Sequence, residues 1–475
     1  MIKDADIVLA GVGQTDVFLD YDYVKRHEIN ISNIKRDLID YFSKKKLALN
    51  DKLIYVDESV IESSNIDFLR SDSSYEIITK REEIASFYMD EIILTDTDLE
   101  TILKTINPEE HQKIKSLVLY EKIAIDDIKF KMFAYSSLVV QGKLKLTNRN
   151  LSIYEYSLVS KFAHKWFGLA LREYADYLSL EYKSYMEKKY NVLSNNDLLL
   201  KIPDLSISTT KRISDSNQDN FKPNSLRYSI RYHFIYNTDY KNQGKAILKD
   251  LIPILSGEWE KEFDNYIELH NVNIYFGWSH SLFIFNKEDD FLLCKYILPL
   301  EVVLANWLSL NVLAKKIDYA IAYANGDMLS LNNGRTIKKT YKNIQRDIHE
   351  FSMKLDRIIE YFDSYTVTNN PTNYKLIDMQ QNVFLQDKKI QGLKNKMVLL
   401  NNLVTMISRR QHELQSATLN TILLILTLMS IIGNAHTIYQ IFSSENTNMM
   451  LGVVTIVVST ILLVILYIKI KKNKY

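Results

Sequence analysis

Arg227, Arg231 and His233 fall on odd positions of a stretch whose even positions are Tyr228, Ile230, Tyr232, Phe234 and Tyr236. On a β-strand that alternation gathers the three basic side chains on one face. There they could meet an anionic ligand, or they could line a solvated or salt-bridged face. Two acidic clusters are candidates for a different chemistry. Asp96 and Asp98 in Asp-Thr-Asp-Leu-Glu, and Asp289 and Asp290 after Glu288, could hold a hard divalent cation such as magnesium through oxygen. The bland alternatives are a helix cap and a solvated hairpin tip. Gly11-Val12-Gly13 follows an apolar stretch expected to be a short strand over Asp6 to Val12. No further glycine follows before Gly142, so a turn is expected there rather than a dinucleotide-binding loop. Walker, HExxH, GxSxG and kinase signatures are all absent, and nothing specifies an enzyme.

A third group of polar residues lies near the C-terminus. With Thr427 set at 0° on a helix, Ser416, Asn420, Ser430, Asn434 and Thr437 fall between about +20° and −80°. Leu419, Leu423, Ile438 and Ile441 share that arc and His436 lies opposite, so the stripe is enriched in polar groups rather than purely polar. Amides and hydroxyls repeated along one side of a membrane helix face protein or a water-filled path, since lipid leaves them unsatisfied. Pore lining and interhelical hydrogen bonding are both open on this pattern.

The element that carries the stripe is itself unusual. No charged residue occurs from Ala417 to Phe442, and none from Met449 to Ile468, so each stretch is long enough to cross a bilayer as a helix. Only residues 443–448 separate them, which predicts a hairpin of two spans. Arg409 and Arg410 precede the first span, and Lys469, Lys471, Lys472 and Lys474 follow the second. Both termini are therefore expected in the cytosol. The start, Met-Ile-Lys-Asp-Ala-Asp, lacks the basic region of a signal peptide. Gly452, Thr455 and Ser459 form a small-residue ridge on the second span, suited to close packing on the first.

The remaining residues read as a cytosolic, helix-rich α+β region. Twelve glycines and six prolines in 475 residues are few against the ~12% of an average protein, so long helices should dominate. Cys294 is the single cysteine, which excludes an intramolecular disulfide and fits a reducing compartment. Lys and Arg total 59 against 58 Asp and Glu, a formal net charge of +1, and no direct nucleic-acid binding is expected.

Val383, Ile390, Met397 and Val404 recur every seven residues, as do Leu393, Leu400, Ile407 and Leu414. They predict an amphipathic stalk helix from about Leu376 into the membrane. Further helices are predicted over about Thr336 to Tyr365, Leu300 to Tyr323 and Leu151 to Tyr190, the last as one or two elements. Thr97 with Glu100 reads as a capping box opening a helix over Leu99 to Ile106. Strands are predicted around Tyr228 to Tyr236 and over Val272 to Phe285, with a turn or a bulge near Gly277 or Ser279-His280. The organisation expected is an α/β sensor-like domain over 1–300, with a mobile linker about 205–224, and a helical and stalk region over 300–416. A C-terminal two-helix transmembrane hairpin follows over 417–442 and 449–468, with an outer loop at 443–448 and a basic tail at 469–475.

Cytosolic α/β domain, long helix into the membrane, short outward loop, second span and basic tail together resemble the CorA-type divalent-cation channels, over about Leu300 to Tyr475. The resemblance implies a homopentamer in an inner (cytoplasmic) membrane whose first span lines the pore, with magnesium as a transported or regulatory ion. The family's Gly-Met-Asn motif has no counterpart. Gly433-Asn434 lacks the methionine and lies about two turns inside the expected position, so magnesium selectivity does not carry over. The large cytosolic part is similar to that of divergent CorA-like effectors of type III CRISPR defence, which implies gating by a nucleotide second messenger. The competing expectations are a membrane-tethered scaffold and a membrane-attached enzyme.

Overall fold

The computed structural model describes residues 2–18, 31–56, 83–119, 123–147, 149–192, 228–237, 240–256, 265–269, 272–285, 290–331 and 371–442, with Leu226 and most of 348–362. Arg227, Asp289, the linker at about 205–224, the second span, the outer loop and the basic tail lie outside the described residues, as does most of the helix expected over Thr336 to Tyr365. The protein is α+β, with one mixed sheet and a long C-terminal helix. It divides into two compact units, Met1–Tyr323 with Phe351–Leu400, and Ala324–Glu350 with Asn401–Tyr475.

In the first unit the strands are β1 (Asp4–Phe18), β2 (Ala48–Leu49), β3 (Lys52–Val56), β4 (Glu83–Met89), β5 (Ile92–Ile93), β6 (Ala124–Phe133), β7 (Tyr135–Leu146), β8 (Tyr228–Tyr236), β9 (Tyr266–Leu269), β10 (Val272–Phe276) and β11 (His280–Phe285). They form an 11-stranded sheet in the order β2-β3-β4-β6-β7-β1-β8-β11-β10-β9, with β5 on β6. Pairing is antiparallel except between β8 and β11. Of the turn and the bulge open in Val272 to Phe285, the structure has the turn: β10 and β11 pair as a hairpin through Gly277, Trp278 and Ser279.

The helices are α1 (Ile31–Lys45), α2 (Asp96–Leu103), α3 (Pro108–Leu119), α4 (Ile153–Val192), α5 (Tyr240–Ser256), α6 (Asp290–Leu331), α7 (Pro371–Val383) and α8 (Gln386–Phe442). Side-chain partners assign them to sheet faces. α4 reaches Arg231 and His233 of β8, whereas α7 reaches Tyr232 between them, so α4 and α7 cover opposite faces. α6 lies on the face of α7, where Glu301 meets Lys131 and Ser309 donates to the Tyr135 carbonyl. α1 joins α4 through Phe42 on Phe87 and Tyr41 on Tyr185. With both faces covered, the central strands are buried along their length.

Three local expectations are corrected by this packing. β1 runs straight through Gly11 and Gly13, where a turn was expected. The reason is Phe167 of α4: a Cβ on Gly11 would stand 3.0 Å from its ring, and one on Gly142 would stand 3.4 Å from it and 2.5 Å from Ile125. The glycines let helix and sheet approach, the role glycine has in a strand interior. The N-cap of α2 is Thr95, whose hydroxyl accepts from the Asp98 amide at 3.1 Å, so Thr97 lies inside the helix. A reciprocal capping box opens α4 instead, with Ser152 and Glu155 each accepting from the other's backbone amide at 3.2 and 2.9 Å. The stalk is interrupted at Leu385, which has φ 52° and separates α7 from the 57-residue α8. Beyond that break the seam packs as its heptads predict, with Ile390, Leu393, Met397 and Leu400 buried. α6 runs parallel to it, the Gln386 amide donating to the Val303 carbonyl, Lys389 to Asn311 and Lys396 pairing with Asp318.

Candidate functional site

The polar stripe of the C-terminal helix belongs to the second unit. α8 continues without a break from the stalk into the apolar segment, because the sequence between Gln386 and Phe442 contains no proline and its two glycines, Gly392 and Gly433, have open space where a side chain would be. Gln386–Ala435 is long and apolar enough to cross a membrane, and its most apolar window has no buried residue. Ser416, Asn420, Thr427, Ser430 and Asn434 are all exposed. Leu419, Leu423, Met429 and Ile432 around them are 59 to 68% exposed. The helix therefore presents an uncovered apolar surface that includes the polar stripe. Thr427 donates its hydroxyl to the Leu423 carbonyl at 2.8 Å, and Thr421 does the same to Ala417, so both hydroxyls are satisfied within the helix. Asn420 and Asn434 are amides with more donors and acceptors than such a local bond can use. Thr437 lies on the same helix, close to its end at Phe442.

Of the acidic candidates, Asp96, Asp98 and Asp290 fall within the described residues. Asp96 and Asp98 lie in the first turn of α2, where carboxylates favour the positive end of the helix dipole. Asp290 is the first residue of α6. Among the described residues no group of three or more His, Cys, Asp or Glu side chains converges as a metal site.

Arg231 and His233 are neither solvated nor open to a large ligand. They are buried beneath α4. Tyr156, Ser160 and His164, one helical turn apart, meet His233, Arg231 and Ser229, two strand residues apart. Four helix residues advance about 6 Å and two strand residues about 6.6 Å, so the two periods stay in step over three contacts. The Tyr156 hydroxyl lies 2.9 Å from His233 Nδ1, and Arg231 Nη1 donates to Ser160 Oγ at 3.2 Å. His280 of β11, the register partner of Arg231, completes the cluster. The two buried rings of His233 and His280 stand 6.5 Å apart.

Burial, followed by the Arg231 charge, pushes His280 down to about 3 and His233 well below its ordinary value; His164 falls to about 4 by the same two causes. The three imidazoles are therefore neutral near pH 7, and Arg231 is the cation of the cluster. The alternation around Tyr228 placed Arg231 and His233 correctly on one face. His164 and His280 had no such signal, since they come from a helix and from a neighbouring strand.

No family model matches the chain, and no curated protein matches it. Among solved structures the chain is similar to the CorA magnesium transporter from Methanocaldococcus jannaschii, at 13% sequence identity, over 52% of this chain and 90% of that one, with a TM-score of 0.20. A TM-score that low does not establish a shared fold.

Proposed function

We propose that the chain is a membrane-embedded ion channel or transporter in which copies of α8 surround a conduction path. The observation that supports this reading most is the uncovered segment Ser416 to Asn434, whose apolar surface requires lipid or partner helices and whose amides require protein or water. A second charge-free stretch from Met449 to Ile468 supplies the return span, and the basic residues before the first span and after the second favour cytosolic termini in a cytoplasmic membrane. Several identical helices around an axis would turn Asn434 into a ring of amides able to replace part of an ion's hydration shell. Five subunits and a divalent cation such as magnesium are what the resemblance to CorA-type channels adds. A nucleotide-gated role would need residues other than Arg231 and His233, which are committed to the interior.

The test is ion flux through purified protein in liposomes. Asn434→Leu should reduce flux by at least tenfold while leaving the oligomer intact by mass. Parent-like conduction in that variant, or a parent that is monomeric, overturns the proposal. The satisfied hydroxyls of Thr421 and Thr427 favour one other reading, a membrane-tethered scaffold in which the helix is an anchor. An anchor predicts no flux from the parent protein.

A further inference from the structure

Arg231 is 6% exposed, and no carboxylate among the described residues pairs with it. Its charge neighbours are Tyr156, Tyr228 and the three histidines. Asp6, whose charge acts on the Tyr156 hydroxyl, belongs to the opposite face of the sheet, where Lys143 and the Tyr236 hydroxyl engage it. Isolated buried cations are strongly disfavoured unless something compensates them.

Three nitrogen groups of this cluster are fully enclosed and have no partner: Arg231 Nε, His233 Nε2 and His280 Nε2. Each histidine already uses its other nitrogen, His233 Nδ1 with the Tyr156 hydroxyl and His280 Nδ1 with the Ser279 hydroxyl at 3.3 Å. When those hydroxyls donate, both imidazoles carry their proton on Nε2 and become donors there. The cluster then offers three N–H groups and one positive charge, with no acceptor to receive them.

We propose that this interior cluster is a binding site for one small inorganic anion, held by Arg231 Nε, His233 Nε2 and His280 Nε2 between β8, β11 and α4. One uncompensated charge calls for a monovalent species, such as chloride or monobasic phosphate. Enclosure rules out a nucleotide or any ligand that must keep contact with solvent. The anion is structural, locking α4 to the sheet. The inference is independent of the conduction proposal, since the cluster lies wholly within the first unit.

The test uses the full-length protein, exchanged exhaustively into sodium gluconate, then denatured, with released anions quantified by ion chromatography. About one chloride, phosphate or other small anion per chain is expected. In parallel, chloride and phosphate are each titrated against gluconate at constant ionic strength while the thermal midpoint of the parent is followed. A saturable rise is expected with at least one, and the stronger of the two identifies the species. Arg231→Met should remove both the bound anion and the saturable rise. His280→Leu, which keeps the cation and deletes one donor, should weaken the apparent affinity at least fivefold and serves if Arg231→Met does not fold. Absence of both a stoichiometric anion and a saturable rise in the parent overturns the proposal and leaves buried water as the partner of these groups. A full response in either folded variant overturns it as well.

Discussion

α4 and the distal part of α8 are both long helices, and they differ in what covers them. α4 buries Tyr156, Phe162, Trp166, Phe167, Leu171, Leu178, Tyr182 and Met186 along one side and leaves Tyr154 and Leu180 outside. That is the one-sided pattern of a helix lying on a sheet. α8 beyond Leu400 exposes Leu419, Ile422, Leu423, Ile425, Leu426, Met429 and Ile432, a set that spreads around the helix and that no part of the described chain covers. One stripe can be satisfied by one neighbouring layer of the same chain, whereas apolar residues on several sides need surroundings on several sides. The comparison separates a region whose apolar surface is covered from within the chain from one whose apolar surface the described chain leaves uncovered.

Removing residues 411–475 should break that contrast most severely. The full chain should sediment with membranes nearly completely, and the shortened chain should stay in the supernatant with its α/β unit folded, as judged by fractionation and circular dichroism. A shortened chain that still sediments with membranes would place the membrane determinant elsewhere.

A smaller effect, confined to the packed region, is expected at the buried pair of Lys131 and Glu301, side chains 9% and 1% exposed. Burial alone would lower the pKa of Lys131, but the carboxylates of Glu301 and Glu83 outweigh it and hold the amine above its usual range. Glu301→Gln removes the carboxylate that pairs with Lys131, leaving the charge of Glu83, and should destabilise the α/β unit by about 3 kcal/mol in urea unfolding. On the proposed reading, membrane association should persist, because the apolar part of α8 is untouched.

Gly142→Ala inserts a methyl group 2.5 Å from Ile125 and 3.4 Å from the Phe167 ring, and should cost about 1–3 kcal/mol by the same measurement. The smallest expected effect is at the start of α4. Ser152→Ala removes the cap and should cost about 1 kcal/mol. The Lys113 hydrogen bond, then those from Ser152, hold Glu155 down at about 2, against 4.5 unperturbed. A depressed carboxylate contributes stability that is present above its unfolded pKa and lost as pH falls through its folded one. Stability should therefore decline between about pH 4.5 and 2, and Glu155→Gln should flatten that limb of the profile.

What followed from the sequence alone was set by neighbours along the chain. The charge-free stretch from Ala417, the stalk heptads beyond Leu385, the strand alternation around Tyr228 and the strand-forming residues after Val272 have the character of a helix or a strand, and each element is present where it falls among the described residues. The second span, whose composition is equally clear, lies outside those residues. Tertiary structure decided what depended on distant partners. Gly11 sits inside a strand because Phe167 needs the space. The capping box opens α4 at Ser152, although Thr97 and Glu100 have a comparable spacing. The stalk breaks at Leu385 without a proline or glycine to mark the place. Arg231, on a face that could have met solvent, is enclosed because Ser160, 71 residues earlier in the chain, packs over it. Periodicity records which side chains share a face, but burial is a property of whatever arrives to cover that face, and the covering element is chosen by the packing of the whole sheet.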